Sequence, residues 1–179
     1  MSICPDLISD LRQNNCRKKN HIMTKILVLS DSHRNMENMH RAVLKEAPDL
    51  ILHLGDHYQD AKQLHAEFPE IPLAAVRGNC DYGQTHQERL IDVDGIRIFL
   101  CHGHRHHVKS SLLVLEYAAR EQDAKVALYG HTHVSFLDES GDLVIMNPGS
   151  IGEPRDYGGP AYGLLFLEDG QVFARLMRL

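Results

Sequence analysis

Several things are missing from this chain of 179 residues, and each absence removes a class of explanation. There is no excess of positive charge. The formal net charge is −5, so bulk electrostatics give no reason to expect a nucleic-acid binder. There is no apolar run long and uninterrupted enough to span a bilayer. The opening stretch, residues 1–20, has no basic segment followed by an apolar one, so a secretory signal is not expected. The four cysteines, Cys4, Cys16, Cys80 and Cys101, have the spacing of neither a disulfide framework nor a zinc knuckle. A reducing, cytoplasmic location is the expectation. Internal repeats, low-complexity tracts and Pro-rich linkers are absent too. The length suits one compact domain with a sizeable core, and the apolar and charged fractions are ordinary for a globular protein.

What is abundant is histidine, with 13 copies, and their positions matter more than their number. Residues 1–22 are polar and irregular. They read as an N-terminal extension to a domain spanning residues 23–179. The apolar run Ile26-Leu27-Val28-Leu29 opens that domain as a buried strand over 26–30. Helical spacing of Met36, Met39 and Val43 predicts a helix over 35–46, with Pro48 just beyond it. Strands are expected at 50–54, 71–76, 89–93, 96–101 and 125–129, with helices at 60–67 and 110–121. Asp94-Gly95 marks a hairpin turn between two of these strands. From Val134 onward the texture is all-β, with strands at 143–146, 163–167 and 172–179 separated by glycine-rich turns. This mixture predicts an α/β fold in which a two-sheet β-sandwich is flanked by α-helices, in four layers.

The functional signal lies just past the end of each strand. Asp31-Ser32-His33, Gly55-Asp56, Gly78-Asn79-Cys80-Asp81, His102-Gly103-His104 and Gly130-His131-Thr132-His133 each begin where an apolar run stops. In α/β folds, ligands bind beyond the carboxyl ends of the strands. Imidazole, carboxylate and amide oxygen together suit borderline cations such as manganese, iron or zinc. Asp-x-His and His-x-His each place both donors on the same side of an extended segment, since side chains alternate along a strand. A carboxylate can bridge two cations about 3.5–4 Å apart, an arrangement that polarises phosphoryl oxygens and generates hydroxide near neutral pH.

In this order the five motifs resemble those of the calcineurin-like metallophosphoesterases. They are most similar to the small bacterial and archaeal phosphodiesterases with a Gly-Asn-Cys-Asp motif. Asn147-Pro148-Gly149-Ser150 belongs to the same likeness, which runs from residue 24 to the C-terminus. The resemblance implies that Asp31, His33 and His133 bind one metal, that Asn79, His102 and His131 bind a second, and that Asp56 bridges them. It also implies a hydrolase acting on a small phosphodiester, and also on a monoester, through hydroxide held between two divalent ions. Manganese is the first expectation, with iron, zinc or nickel able to substitute. Many relatives carry a histidine where this chain has Cys80. Here His104, or a metal-bound water, is expected to protonate the leaving group, because a thiol with a pKa near ~8.5 is poorly matched to that task.

Blander readings stand beside these. Asp and Asn commonly cap helices and turns, and Cys80 and Cys101 read as small buried residues. His57 and Arg77 could face substrate, or be solvated and paired with Asp81 respectively. His106 and His107 read as exposed loop residues in a small cationic cluster with Arg105 and Lys109. Arg155, Asp156 and Tyr157 lie in a Gly/Pro-rich loop of the kind that carries substrate or subunit contacts. The competing function is a non-catalytic scaffold, the role of a retromer subunit in the resembled subgroup. Nuclease activity ranks low, no membrane association is expected, and a homodimer or homotetramer is. Truncation to Met23 is expected to leave soluble yield and phosphoesterase activity unchanged. Loss of soluble protein on expression of the truncated chain would refute that.

Overall fold

Alternation of apolar residues along the central strands sets the layering. In the first strand, β1 (Thr24–Leu29), Ile26 and Val28 enter one apolar cluster while Leu27 and Leu29 enter another on the opposite face. A strand buried on both faces needs a layer on each side. The same split recurs in β5 (Ile96–Cys101), where Ile98 and Leu100 face inward and Phe99 and Cys101 face outward. The computed structural model describes residues 23–83 and 86–179, and the expectations for residues 1–22 lie outside these.

Two five-stranded sheets result. The first runs in the order β10-β9-β1-β2-β3, adding β2 (Leu50–His53), β3 (Leu73–Ala75), β9 (Ala161–Glu168) and β10 (Gln171–Arg178) to β1. The second runs β4-β5-β6-β8-β7, from β4 (Glu88–Val93), β6 (Val126–Leu128), β7 (Ser135–Asp138) and β8 (Val144–Pro148). Their inner faces share one apolar cluster, including Leu52, Val76, Leu128, Met146 and Leu165. Helices α1 (Met36–Glu46) and α2 (Tyr58–Glu67) cover the outer face of the first sheet, and α3 (Leu113–Glu121) covers the second. The fold is therefore the expected four-layer α/β sandwich. In the first sheet β1, β2 and β3 are parallel, and in the second β5, β6 and β8 are. Parallel strands deliver all their carboxyl ends to one edge of each sheet, which is what positions the site.

The local sequence explains most boundaries. Asn35 caps α1, its side-chain oxygen accepting from Asn38 N at 3.1 Å, and Met39, Ala42 and Val43 form the buried stripe. Three elements differ from expectation. β3 is shorter than 71–76 because Ile71 N closes a turn onto Phe68 O (3.1 Å) and Pro72 has no N–H to contribute to a ladder. The helix expected over 110–121 starts only at Leu113, since a 3₁₀ turn at His104–His106 and Ser111, whose Oγ accepts from Leu113 N (3.2 Å), occupy the approach. β7 was not separately legible: it is an edge strand with no fully buried residue, held by pairing with β8.

α1 ends on Ala47 in the left-handed conformation (φ 44°, ψ 62°), with its N–H on Val43 O at 2.8 Å. That conformation strains any residue with a Cβ, and Ala47 is exposed. Ala47→Gly is therefore expected to stabilise the protein by about 0.5–1 kcal/mol, read as a higher denaturation midpoint at unchanged slope. An unchanged or lower midpoint would contradict it.

Candidate metal centre

The donors named from the sequence leave five strand ends, singly or in pairs. Asp31 and His33 follow β1, Asp56 follows β2 and Asn79 follows β3. From the other sheet His102 follows β5, and His131 and His133 follow β6. One correction concerns how they are presented. Asp31, His33, Asp56, His131 and His133 all have left-handed backbone, with φ between 43° and 68°. The segments are turns rather than extended chain, so alternation along a strand does not explain how paired donors converge. Each such residue costs on the order of 1 kcal/mol. Five together persist only because the surroundings hold them.

The side chains fall into two groups whose donor atoms lie within 4.8 Å of one another: Asp31, His33, Asp56 and His133, and then Asp56, His102 and His131. Asp56 belongs to both. Asn79 joins the second group, with Oδ1 3.2 Å from His102 Nε2. His133 Nε2 lies 3.1 Å from Asp31 Oδ1, and His102 Nε2 lies 3.4 Å from Asp56 Oδ2. His33 Nε2 faces His133 Nε2 at 3.3 Å and Asp56 Oδ2 at 3.9 Å. Asp31, Asp56, His102 and His133 are buried, His33 and His131 half-buried, and Asn79 exposed.

Hydrogen bonding to the backbone decides which ring nitrogens face inward. His102 Nδ1 lies 2.7 Å from Leu54 O, and His133 Nδ1 lies 2.6 Å from Glu153 O. A carbonyl only accepts, so both rings carry their proton on Nδ1 and, when neutral, turn a lone pair on Nε2 toward the carboxylates. With the rings neutral, acceptors thus face acceptors; without a cation the carboxylates draw protons onto these rings, and against burial Asp56 and Asp31 raise the pKa of His102 and Asp31 that of His133. Asp31 Oδ1 is buried and receives no hydrogen bond among the described residues. Orphaned, converging acceptors of this kind are satisfied by a cation, and the donor set suits a divalent ion. Burial opposes ionisation of Asp31, but His133, His102 and Ser30 together hold its pKa below the usual carboxylate range. Asp56 is likewise held low against burial, by His102 and the Cys80 amide. His131 is pulled down to about 4 by burial and by His102. Two ionised carboxylates and imidazoles with free lone pairs are the forms that bind metals.

Close packing leaves little tolerance around the carboxylates. A Cβ on Gly78 would run into Asp56 Oδ1, and one on Gly130 would collide with Ser30 Oγ and approach Asp31 Oδ2. Behind the donors lies a layer of polar side chains that sequence reasoning left without a role. His53 Nδ1 accepts from Gly55 N (3.3 Å), so its Nε2 donates to Ser32 Oγ (3.2 Å), which donates to Asp60 Oδ2 (2.7 Å). Asn147 donates to Gly130 O (2.9 Å), and Ser150 Oγ donates to Asp31 O (2.7 Å). The Asn-Pro-Gly-Ser motif thus braces the turns that carry Asp31 and His131. A histidine inside the apolar run Leu50-Ile51-Leu52-His53-Leu54 was the one available signal for His53.

Other expectations are corrected. Cys80 is exposed rather than buried, because its backbone N–H, at 2.9 Å from Asp56 Oδ1, is what turns inward. Partial desolvation of its sulfur and the charge on Asp56 push the thiol up to about 11. His106 is buried against Phe99 near Glu88, not exposed in a loop. Asp81 accepts from Gly78 N and Tyr58 N, while Arg77 donates to Gly83 O. His57 packs edge-on to His33, with ring centres 5.1 Å apart. His104 stands beside the second group, 5.5 Å from the His102 ring and 6.1 Å from that of His131, with Nδ1 buried and without a hydrogen bond among the described residues.

This fold and this donor cluster point to one class of proteins, the metallophosphoesterases. The chain belongs to the calcineurin-like phosphoesterase superfamily, whose domain model matches residues 24–170. A probable metallophosphoesterase of Bacillus subtilis, YsnB, is 33% identical over 154 residues, covering 84% of this chain and 88% of that protein. The phosphodiesterase MJ0936 of Methanocaldococcus jannaschii is 27% identical over 143 residues, covering 70% and 82%. Among solved structures, Vacuolar Protein Sorting 29 of Cryptosporidium parvum shares the fold at 17% identity, with a TM-score of 0.68 over 89% of this chain and 99% of that one.

Burial pulls His53 down to about 4 from its ordinary 6.5, so the folded protein holds it neutral. Between those values the unfolded chain binds a proton that the folded chain refuses, and stability falls as pH drops from 6.5 toward 4. On the order of 3 kcal/mol is expected to disappear over that window in the metal-free protein through this residue. Denaturant unfolding across it should show a flatter pH slope in His53→Gln. Identical slopes in the two proteins would show that His53 is not the group responsible.

Proposed function

We propose that this protein is a dinuclear metal-dependent hydrolase of small phosphodiesters, with some reach to monoesters. The observation that carries the reading is the position of Asp56 in both donor groups. Its carboxylate has two oxygens, and a shared carboxylate is what a pair of cations requires. Asp31, His33 and His133 would hold one ion, and Asn79, His102 and His131 the other. Two such ions, when bound, supply charge to polarise the phosphoryl oxygen and to lower the pKa of water between them. Manganese is the proposed resident, with iron, zinc or nickel as substitutes.

The chain's own contribution is orientation and proton handling. Leu54 O and Glu153 O lock two imidazoles with Nε2 forward, and Cys80 N–H steadies one oxygen of Asp56. His104, beside the second donor group, is the residue we assign to hand a proton to the leaving oxygen. Burial and neighbouring His102 lower its pKa, so little of it carries a proton to donate near pH 7, which favours substrates with good leaving groups. The Cys80 thiol, pushed up to about 11, is worse matched still. The diester preference draws on the likeness to MJ0936 and on the Gly-Asn-Cys-Asp motif. A cytoplasmic setting and self-association to a dimer or tetramer complete the proposal.

The similarity to Vacuolar Protein Sorting 29 favours one other reading, a scaffold of the same fold. A full set of inward donors held in strained turns argues for catalysis, since a scaffold gains nothing from that strain. A chromogenic aryl phosphodiester with added manganese separates the two. Activity is expected and should fall by more than about 100-fold in Asp56→Asn. His104→Ala should cost about 100-fold on an alkyl diester and clearly less on the aryl one. Absence of activity, or activity indifferent to Asp56→Asn, favours the scaffold, and equal losses on both esters remove His104 from proton transfer.

A further inference from the structure

The loop of residues 151–160, between β8 and β9, makes a contact that no motif announces. Its Glu153 carbonyl is the acceptor that fixes the His133 ring, and its Arg155 N–H donates to His133 O at 3.0 Å. His133 itself has φ 60°, a conformation that its surroundings must impose. The loop therefore grips one proposed metal donor by both ring and backbone, and what holds the loop holds the donor.

The loop is pinned at two ends. At the inner end Ile151 N and Gly152 N donate to Ser30 O (3.1 Å) and Asp31 O (3.3 Å), and Glu153 N donates to Ser150 Oγ (2.6 Å). At the outer end Asp156 is the anchor. Arg178, the last residue of β10, grips it with a two-pronged contact, Nη1 to Oδ1 and Nη2 to Oδ2, both 2.8 Å. Arg178 Nη1 also donates to Gly159 O at 2.8 Å. Asp156 Oδ2 in turn accepts from Ser135 N at 2.9 Å, two residues beyond His133. One carboxylate thereby ties β10 of the first sheet to β7 of the second, and the short stretch between the pins carries the carbonyl that orients His133. The fork is partly shielded, with side-chain exposures of 35% and 16%, and a planar two-pronged contact fixes direction as well as distance.

We infer that Arg178 and Asp156 are positioning residues for the His133 donor, acting through the Glu153 carbonyl. The inference rests on the metal-centre reading above for its functional meaning, but the orientation of the ring can be read without any metal. Removing an outer-shell partner of a metal-binding histidine weakens metal affinity by about 10- to 100-fold. The effect here should fall on one ion and spare the other, because His102 takes its orientation from Leu54 O on a different strand end.

Two measurements on the full chain test this. Long-range ¹H–¹⁵N NMR of the metal-free protein, recorded at a pH alkaline enough to leave the ring neutral beside Asp31, should show His133 as the Nδ1-protonated tautomer, and Arg178→Ala and Asp156→Asn should each shift it toward the other tautomer. Manganese titration by calorimetry should show two ions in the wild type. In each variant one should bind about 10- to 100-fold more weakly and the other unchanged, with partial recovery in Arg178→Lys, which keeps the charge but not the fork. A variant with lower thermal stability, unchanged His133 tautomer and unchanged affinity for both ions would overturn the inference and leave the pair a structural staple. A wild type that binds fewer than two manganese ions while the tautomer still responds to Arg178→Ala would refute the dinuclear reading and uphold the positioning role.

Discussion

Everything at the candidate centre depends on one electrostatic constraint: two ionised carboxylates are driven together with imidazole nitrogens that can meet them only by taking up positive charge, as a proton or as a cation. Asp31 and Asp56 are held ionised, and His102 and His133 are turned with lone pairs toward them by carbonyls that take the opposite proton. Such a cluster is unfavourable until positive charge enters it. The fold tolerates it because it is assembled from short turns whose ends are fixed by strands, so the repulsion is spread over a rigid frame. Asp56 sits where the constraint is greatest, facing both donor groups.

The frame is strained in its own right. Five donors occupy left-handed backbone, and none is glycine. The compensations are local and can be followed from atom to atom. His53, Ser32 and Asp60 form a buried chain of donors and acceptors behind the first two turns, while Asn147 and Ser150 brace the turns from the other sheet. Glycines at 78 and 130 leave the space that the carboxylates and Ser30 occupy. Strain at the site and over-determination behind it are two sides of one arrangement.

The sandwich explains why the donors meet at all. Parallel strands in each sheet end on the same side, and the two sheets pack face to face through one apolar cluster. Asp31, His33, Asp56 and Asn79 therefore approach from one sheet, and His102, His131 and His133 from the other. The loop between β8 and β9 closes the gap between sheets near His133. Asp156, bound to both Arg178 and Ser135, is the residue through which that closure is made.

Much of this was legible in the sequence. Long apolar runs marked β1, β2 and β5, and polar donors placed directly after them marked the strand ends, because burial and chemistry are written there in adjacent residues. β7 was not legible, since an edge strand with half-buried residues takes its shape from its partner. Nor were the exposure of Cys80 and the burial of His106, which depend on which face a turn presents. The sequence alone determined the donor types, their order and the two-sheet class, since these arise from residue chemistry and periodicity. Only the tertiary structure decided that His53 and Arg178 belong to the supporting frame, and that five of the donors sit in left-handed turns rather than extended chain. Those facts arise from contacts between segments far apart in the chain, and local pattern carries no record of them.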